Sequence, residues 1–120
     1  MDQSWAVQVR RVEAALRTAL QPVLDEHDLT LDHWRIISVV EQEPGLTMSE
    51  VAHAAVVPPA TLTRHVDHLV DRGILLRRMD TEDKRRVVVA LSPRGGEYAA
   101  RLRAAERSVA LPDAVATAFG

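Results

Sequence analysis

Apolar residues at Trp5, Val9, Val12, Leu16, Ala19, Leu20 and Val23 recur in a 4-3-4-3 pattern close to a 3.5-residue repeat, which predicts a long amphipathic helix with a coiled-coil-like seam. Pro22, lacking an N–H for the preceding turn, is expected to break or kink it near its end. Thr30 or Asp32 can cap a second helix through Trp34, Ile36, Ile37, Val39 and Val40, which Glu43, Pro44 and Gly45 stop. Thr47 with Glu50 forms a capping box ahead of a short helix carrying Val51, Ala52 and Ala55 on one stripe, ending near Val56. Pro58 and Pro59 then turn the chain and pre-set a helix over 59–72, in which Leu62, Val66, Leu69 and Val70 share a face until Gly73. Beyond Gly73 the period changes. Residues 74–79 and 86–91 are β-prone runs around a polar turn, a two-stranded hairpin with a charged tip. Ser92 and Pro93 open a last long helix, with Tyr98, Leu102, Ala105 and Val109 at near-heptad spacing until Pro112, and a short apolar tail follows. The chain therefore reads as mainly α with a small β-hairpin. No repeat, low-complexity tract or linker divides residues 1–120, so a single domain is expected.

Composition narrows the chemistry. Aromatic residues are only 3% of the chain, so the core must be aliphatic, and a stacking platform for single-stranded nucleic acid is not expected. The absence of cysteine excludes disulfides, thiolate catalysis, thiol redox sensing and Cys-ligated zinc. No apolar run approaches the ~18 residues of a membrane span and the start lacks a signal-peptide pattern, so a cytoplasmic protein without a membrane partner is expected. The net charge of −2 hides an uneven distribution: −5 over residues 1–57, +2 over 58–92 and +1 over 93–120. The middle is basic behind an acidic front.

Two short helices followed by a basic hairpin are the plan of a winged helix-turn-helix, whose second helix enters the major groove of duplex DNA. At ~100° per residue the direction opposite the apolar stripe of 59–72 is ~205° from Leu62, and Arg64 (~200°), Ala60 (~160°), His68 (~240°) and Thr61 (~260°) cluster around it, with Asp67 (~140°) the misfit. Arg64 can fork onto guanine O6 and N7, Ala60 can touch a thymine methyl, and Thr61, Thr63 and His68 suit bases or phosphates. Any solvated helix face can also carry an Arg and a Thr. The hairpin tip is more telling, because Lys84, Arg85 and Arg86 are consecutive cations with no acidic residue in the next ten, suited to phosphates or a narrow minor groove. Asp83 can hold the direction of Arg85 through a charge-assisted hydrogen bond.

Residues 46–95 resemble the multiple-antibiotic-resistance regulator (MarR) family of bacterial winged-helix repressors. The likeness is carried by Leu46-Thr47-Met48-Ser49-Glu50-Val51-Ala52, by Thr61-Leu62-Thr63-Arg64-His65-Val66-Asp67 with Leu69 and Arg72-Gly73-Ile74-Leu75, by Arg78, by Asp80 with Asp83-Lys84-Arg85, and by Leu91-Ser92-Pro93 with Gly95. Helix order and the Leu31–Ile37 run also match. The resemblance implies a homodimer with interleaved first and last helices (1–29 and 93–120) flanking a DNA-binding core (30–92). Each subunit would place helix 59–72 in a major groove and its wing in the adjacent minor groove, with Arg85 inserted and Asp83 bracing it. Three departures stand out: Val56 where the family commonly has glycine, Pro58 where it commonly has a capping serine, and only about eight residues after Pro112 where a further helix is usual. A trimmed dimer is therefore expected.

The stripes on the first and last helices need a partner, and pairing Trp5, Val9, Val12 and Leu16 with Leu102, Ala105 and Val109 across a two-fold axis would bury both. The two stripes burying each other within one chain is the alternative. The resemblance further implies release from a pseudo-palindromic operator by a small aromatic or phenolic effector in a cleft that His33, Trp34, Arg35 and parts of 9–20 could line. His65 and His68 lack an i, i+4 arrangement and an identifiable third ligand, so no metal and no cofactor is expected. Nor is there a nucleophile elbow, a glycine-rich phosphate loop or a carboxylate pair with a reason to be close in space, which argues against an enzyme. The competing function is a winged-helix protein-recognition module, an antirepressor or adaptor that binds no DNA and presents its acidic front.

Overall fold

The computed structural model describes residues 4–111. Helix α1 (Trp5–Leu24) starts where Ser4 Oγ accepts the Val7 N–H at 3.1 Å. Pro22 lies inside it without ending it there, because the chain still donates the Asp25 N–H to the Gln21 carbonyl and closes the last turn. A 3₁₀ turn (Asp25–His27) and Asp28 in the left-handed region (φ 56°) lead to α2 (Leu31–Gln42). Strand β1 (Leu46–Thr47) precedes α3 (Met48–Ala55), so Thr47 ends a strand and caps a helix at once. Its N–H donates to Glu50 Oε1 at 3.0 Å and its Oγ accepts from the Glu50 N–H at 3.3 Å, the expected capping box.

Helix α4 (Pro59–Asp71) is followed by β2 (Leu75–Met79) and β3 (Val87–Leu91), which pair antiparallel from Leu75 opposite Leu91 to Met79 opposite Val87. β1 pairs with the other edge of β3, Leu46 opposite Val89, giving a three-stranded sheet of order β1-β3-β2 rather than the isolated hairpin expected. Helix α5 (Pro93–Arg107) starts on Ser92, whose Oγ accepts the Gly95 N–H (2.8 Å) and donates to the Gly73 carbonyl (2.6 Å), tying the helix start to the end of α4. The approach is tight: a Cβ on Gly95 would stand 2.0 Å from the Ile74 carbonyl oxygen. α5 ends five residues before Pro112. Ser108 turns its hydroxyl onto the Ala105 carbonyl (2.6 Å), and Val109, expected on the helix, falls in the turn beyond it. The expected tail from Pro112 lies outside the described residues.

Leu20 and Leu24 of α1, Ile36, Ile37 and Val40 of α2, Leu62, Val66 and Leu69 of α4, Ile74, Leu75 and Val89 of the sheet, and Ala99 and Leu102 of α5 are buried in one core. Each fully buried Leu, Ile or Val contributes about 1.5–3 kcal/mol, and together they fix the helix-turn-helix against the long helices. Leu102, expected to face a partner, is thus spent on the chain's own core, as is most of Val12. The N-terminal half of α1 is different: Trp5, Val7 and Val9 are 62%, 44% and 55% exposed.

Candidate nucleic-acid interface and adjoining cleft

The turn between α3 and α4 is made at Val56, which takes φ 57° and ψ 52° while Val57 N–H reaches the Ala52 carbonyl (3.0 Å) and Val56 N–H the His53 carbonyl (3.3 Å). This doubly bonded helix ending favours glycine, and a β-branched residue there is strained. Arg35 braces it, with Nη1 3.3 Å from the Ala55 carbonyl and 3.4 Å from that of Val56, and Nη2 2.6 Å from Asp32. The Val56 departure seen in the sequence is therefore met by a side chain from α2. Pro58 gives α4 no side-chain cap, and Pro59 occupies the first helical position.

On α4, Ala60, Thr63 and Arg64 are exposed and Thr61 is half-buried. Thr63 Oγ donates to the Pro59 carbonyl at 3.2 Å, and among the described residues Arg64 has no hydrogen bond or ion pair. Asp67 pairs with Arg77 of β2, so the misfit on the helical wheel is the tie that holds the wing to α4. His68 is half-buried, with Nε2 3.2 Å from the Asp28 carbonyl and its centroid 5.2 Å from that of His33, because the start of α2 packs on that side of α4. The wheel, drawn from apolar residues alone, could not register this polar neighbour.

At the wing tip Arg85 is 92% exposed along its side chain, and its Nε lies 3.2 Å from Asp83 Oδ1, which also accepts the Arg85 N–H at 3.1 Å. Those bonds from Arg85 hold the Asp83 carboxyl below its usual range. Lys84 is exposed. Arg86 has its Nη2 3.0 Å from Glu50 Oε1 and its Nε 3.9 Å from Asp80, so it also anchors the wing on the capping box of α3. Its partner lies 36 residues upstream, on a different element.

Behind this surface, a cleft of about 500 Å³ between α1, α2, the end of α3 and α5 is lined by Val9, Val12, Leu16, Trp34, Arg35, Val39, Val56 and Glu106, among others. Trp34 and Arg35 line it as expected, as do the residues from the 9–20 stretch. Trp34 is 2% exposed, with Nε1 donating to Glu106 Oε2 at 2.7 Å and the Arg103 guanidinium 5.1 Å from its ring centre. Arg103 also donates to Glu41 and Ser38, so the α2–α5 wall is polar and ordered. His33 does not line the cleft. It is buried on the opposite side of α2, its Nδ1 accepting the Thr30 N–H (2.9 Å) and its Nε2 3.0 Å from His65 Nδ1 on α4. No group of three or more His, Cys, Asp or Glu among the described residues is arranged to hold a metal ion, and none of their helices is long and apolar enough to cross a membrane.

A helix-turn-helix whose second helix precedes a sheet-anchored hairpin defines the winged-helix class. The chain belongs to the MarR family, whose profile matches residues 27–86. It is 31% identical over 98 residues to an HTH-type transcriptional repressor of Mycobacterium tuberculosis, covering 82% of this chain and 70% of that one. CouR from Rhodococcus jostii RHA1 bound to p-coumaroyl-CoA has the same fold at TM-score 0.76, with 22% identity over 91% of this chain and 78% of that one. A MarR mutant from E. coli complexed with operator DNA gives TM-score 0.69, with 24% identity over 81% and 66%. The chain spans from about half to 70% of the length of the curated relatives it matches.

Proposed function

We propose that this chain is a DNA-binding transcriptional regulator: a homodimeric repressor reading a pseudo-palindrome with half-sites about one helical turn (~10 bp) apart. The observation that carries the reading is that Arg64 stands exposed and unpaired on α4 while Asp67 of the same helix grips Arg77 of the wing, whose tip offers Lys84 and Arg85 to solvent. One helix thus presents a base-reading side chain and fixes the direction of a phosphate-seeking tip. The acidic front is consistent with this reading, since Glu50 is engaged by the wing. Support for a dimer comes from the seam at Trp5 and Val9 that the described residues leave exposed, and support for a small-molecule effector of aromatic or phenolic character comes from the cleft beside Trp34 and Arg35. No catalytic role is proposed.

The test is fluorescence anisotropy with a duplex selected by the wild-type protein from a randomised pool. Arg64→Ala should cost about 1–3 kcal/mol mainly at one base position, while Arg85→Ala weakens all duplexes and lowers the salt slope by about one. Equal losses on every sequence for Arg64→Ala would remove its base-reading role. No duplex bound at low salt would point to the protein-recognition module instead.

A further inference from the structure

The contact between α2 and α4 has a direction fixed by its protons. The Thr30 backbone N–H can only donate, so His33 Nδ1, 2.9 Å away, must accept and the neutral ring carries its proton on Nε2. That nitrogen lies 3.0 Å from His65 Nδ1, which must in turn accept, leaving the His65 proton on Nε2, 4.0 Å from Asp32 Oδ2. The rings of His33 and His65 meet edge to face at 4.3 Å. We propose that His33 and His65 are positioning residues for DNA reading: this ordered chain sets the rotation of α4 about its axis, and therefore the aim of Arg64, and one proton added to His65 Nδ1 breaks it. The inference rests on the DNA-binding reading above.

A proton on His65 Nδ1 would set two N–H groups face to face, and His33 cannot switch tautomer to relieve them without abandoning Thr30. From α2, Asp32 favours a charged His65 but is itself engaged by Arg35 at 2.6 Å; from α4, Arg64 and His68 oppose the charge. From the turn before α2, Asp28 favours a charged His33 while its carbonyl holds His68, with Arg72 4.0 Å from its carboxylate. Burial leads the balance: together with the charges of His65 and His68 it lowers His33 from the ordinary 6.5 to about 4, and it is the leading cause that lowers His65 as well. The unfolded chain takes up these protons near 6.5 and the folded one resists them, so the neutral chain is fully favoured above that pH and is lost as pH falls toward the folded values.

The test pairs imidazole ¹⁵N spectra at about pH 7.5 with affinity for the selected duplex at about pH 7.5 and 5.5 and constant ionic strength, spanning the range in which histidine titrates. The expected spectra place the protons of His33 and His65 on Nε2. Wild type should lose a few-fold in affinity on acidification, less than the roughly tenfold that an unshifted histidine could give, with its far-UV circular dichroism unchanged. His65→Asn, whose amide oxygen can accept as Nδ1 does and takes no proton, should bind nearly as well at the higher pH and lose far less on acidification. A proton on His33 Nδ1, or the same acid loss in both proteins, overturns the proposal. The expected tautomers without DNA binding at any pH would overturn the DNA-binding reading, and the aiming role with it.

Discussion

Val56 holds φ 57° with a branched side chain and 77% exposure, so little packing offsets its strain, whereas Gly95 has an ordinary φ but no room for a side chain against the Ile74 carbonyl. The two positions predict opposite signs. Val56→Gly relieves about 1–2 kcal/mol of left-handed strain and returns part of it as chain entropy, so melting should rise by a few degrees at most. Gly95→Ala must displace a backbone carbonyl bounded by α4 and the Ser92 cap, and should destabilise by about 1–3 kcal/mol or more. Thermal melts of both variants check the pair. At this scale the sequence was legible where chemistry is local: Asp83 bracing Arg85, Thr47 with Glu50, and Ser92 with Gly95 are all within three residues of each other. The contacts of His68 and Arg86 were not legible, because their partners, Asp28 and Glu50, lie 40 and 36 residues away in the chain.

Among the elements, five helices and both hairpin strands follow from apolar period and capping residues, while β1 escapes notice because two residues carry no period and Leu46 finds its partner only when β3 arrives. The link between the wing and α4 was equally hidden, since Asp67 and Arg77 lie on opposite sides of a turn whose geometry the sequence does not state. An exposed pair of this kind contributes under about 1 kcal/mol to stability, so Arg77→Ala should leave the melting temperature nearly unchanged. Its effect belongs to orientation. Duplex affinity should fall, and exchange of the β2–β3 amides should quicken, as the hairpin loses its hold on α4. Unchanged affinity would separate wing position from DNA recognition.

For the whole molecule, the described residues leave the seam of α1 exposed, and Val9→Asp is expected to turn the proposed dimer into a monomer by sedimentation without loss of helix content. If two half-sites are read together, that variant should lose about 100-fold or more in operator affinity, the advantage that linking two weak contacts confers. The cleft was legible in part, through Trp34 and Arg35, but not its polar wall, because Glu106 and Arg103 reach Trp34 only when α5 packs on α2. If the chain binds an operator as proposed, the anchoring of the wing bears on how the two meet. Arg86 and Arg77 are already committed to the protein, so at the tip docking immobilises chiefly Lys84 and Arg85, at about 0.5–1.5 kcal/mol for each rotamer-rich side chain. Encounter then requires no segment to fold, and the speed of association should follow diffusion and ionic strength, leaving differences between operator sequences to appear in how long the complex lasts.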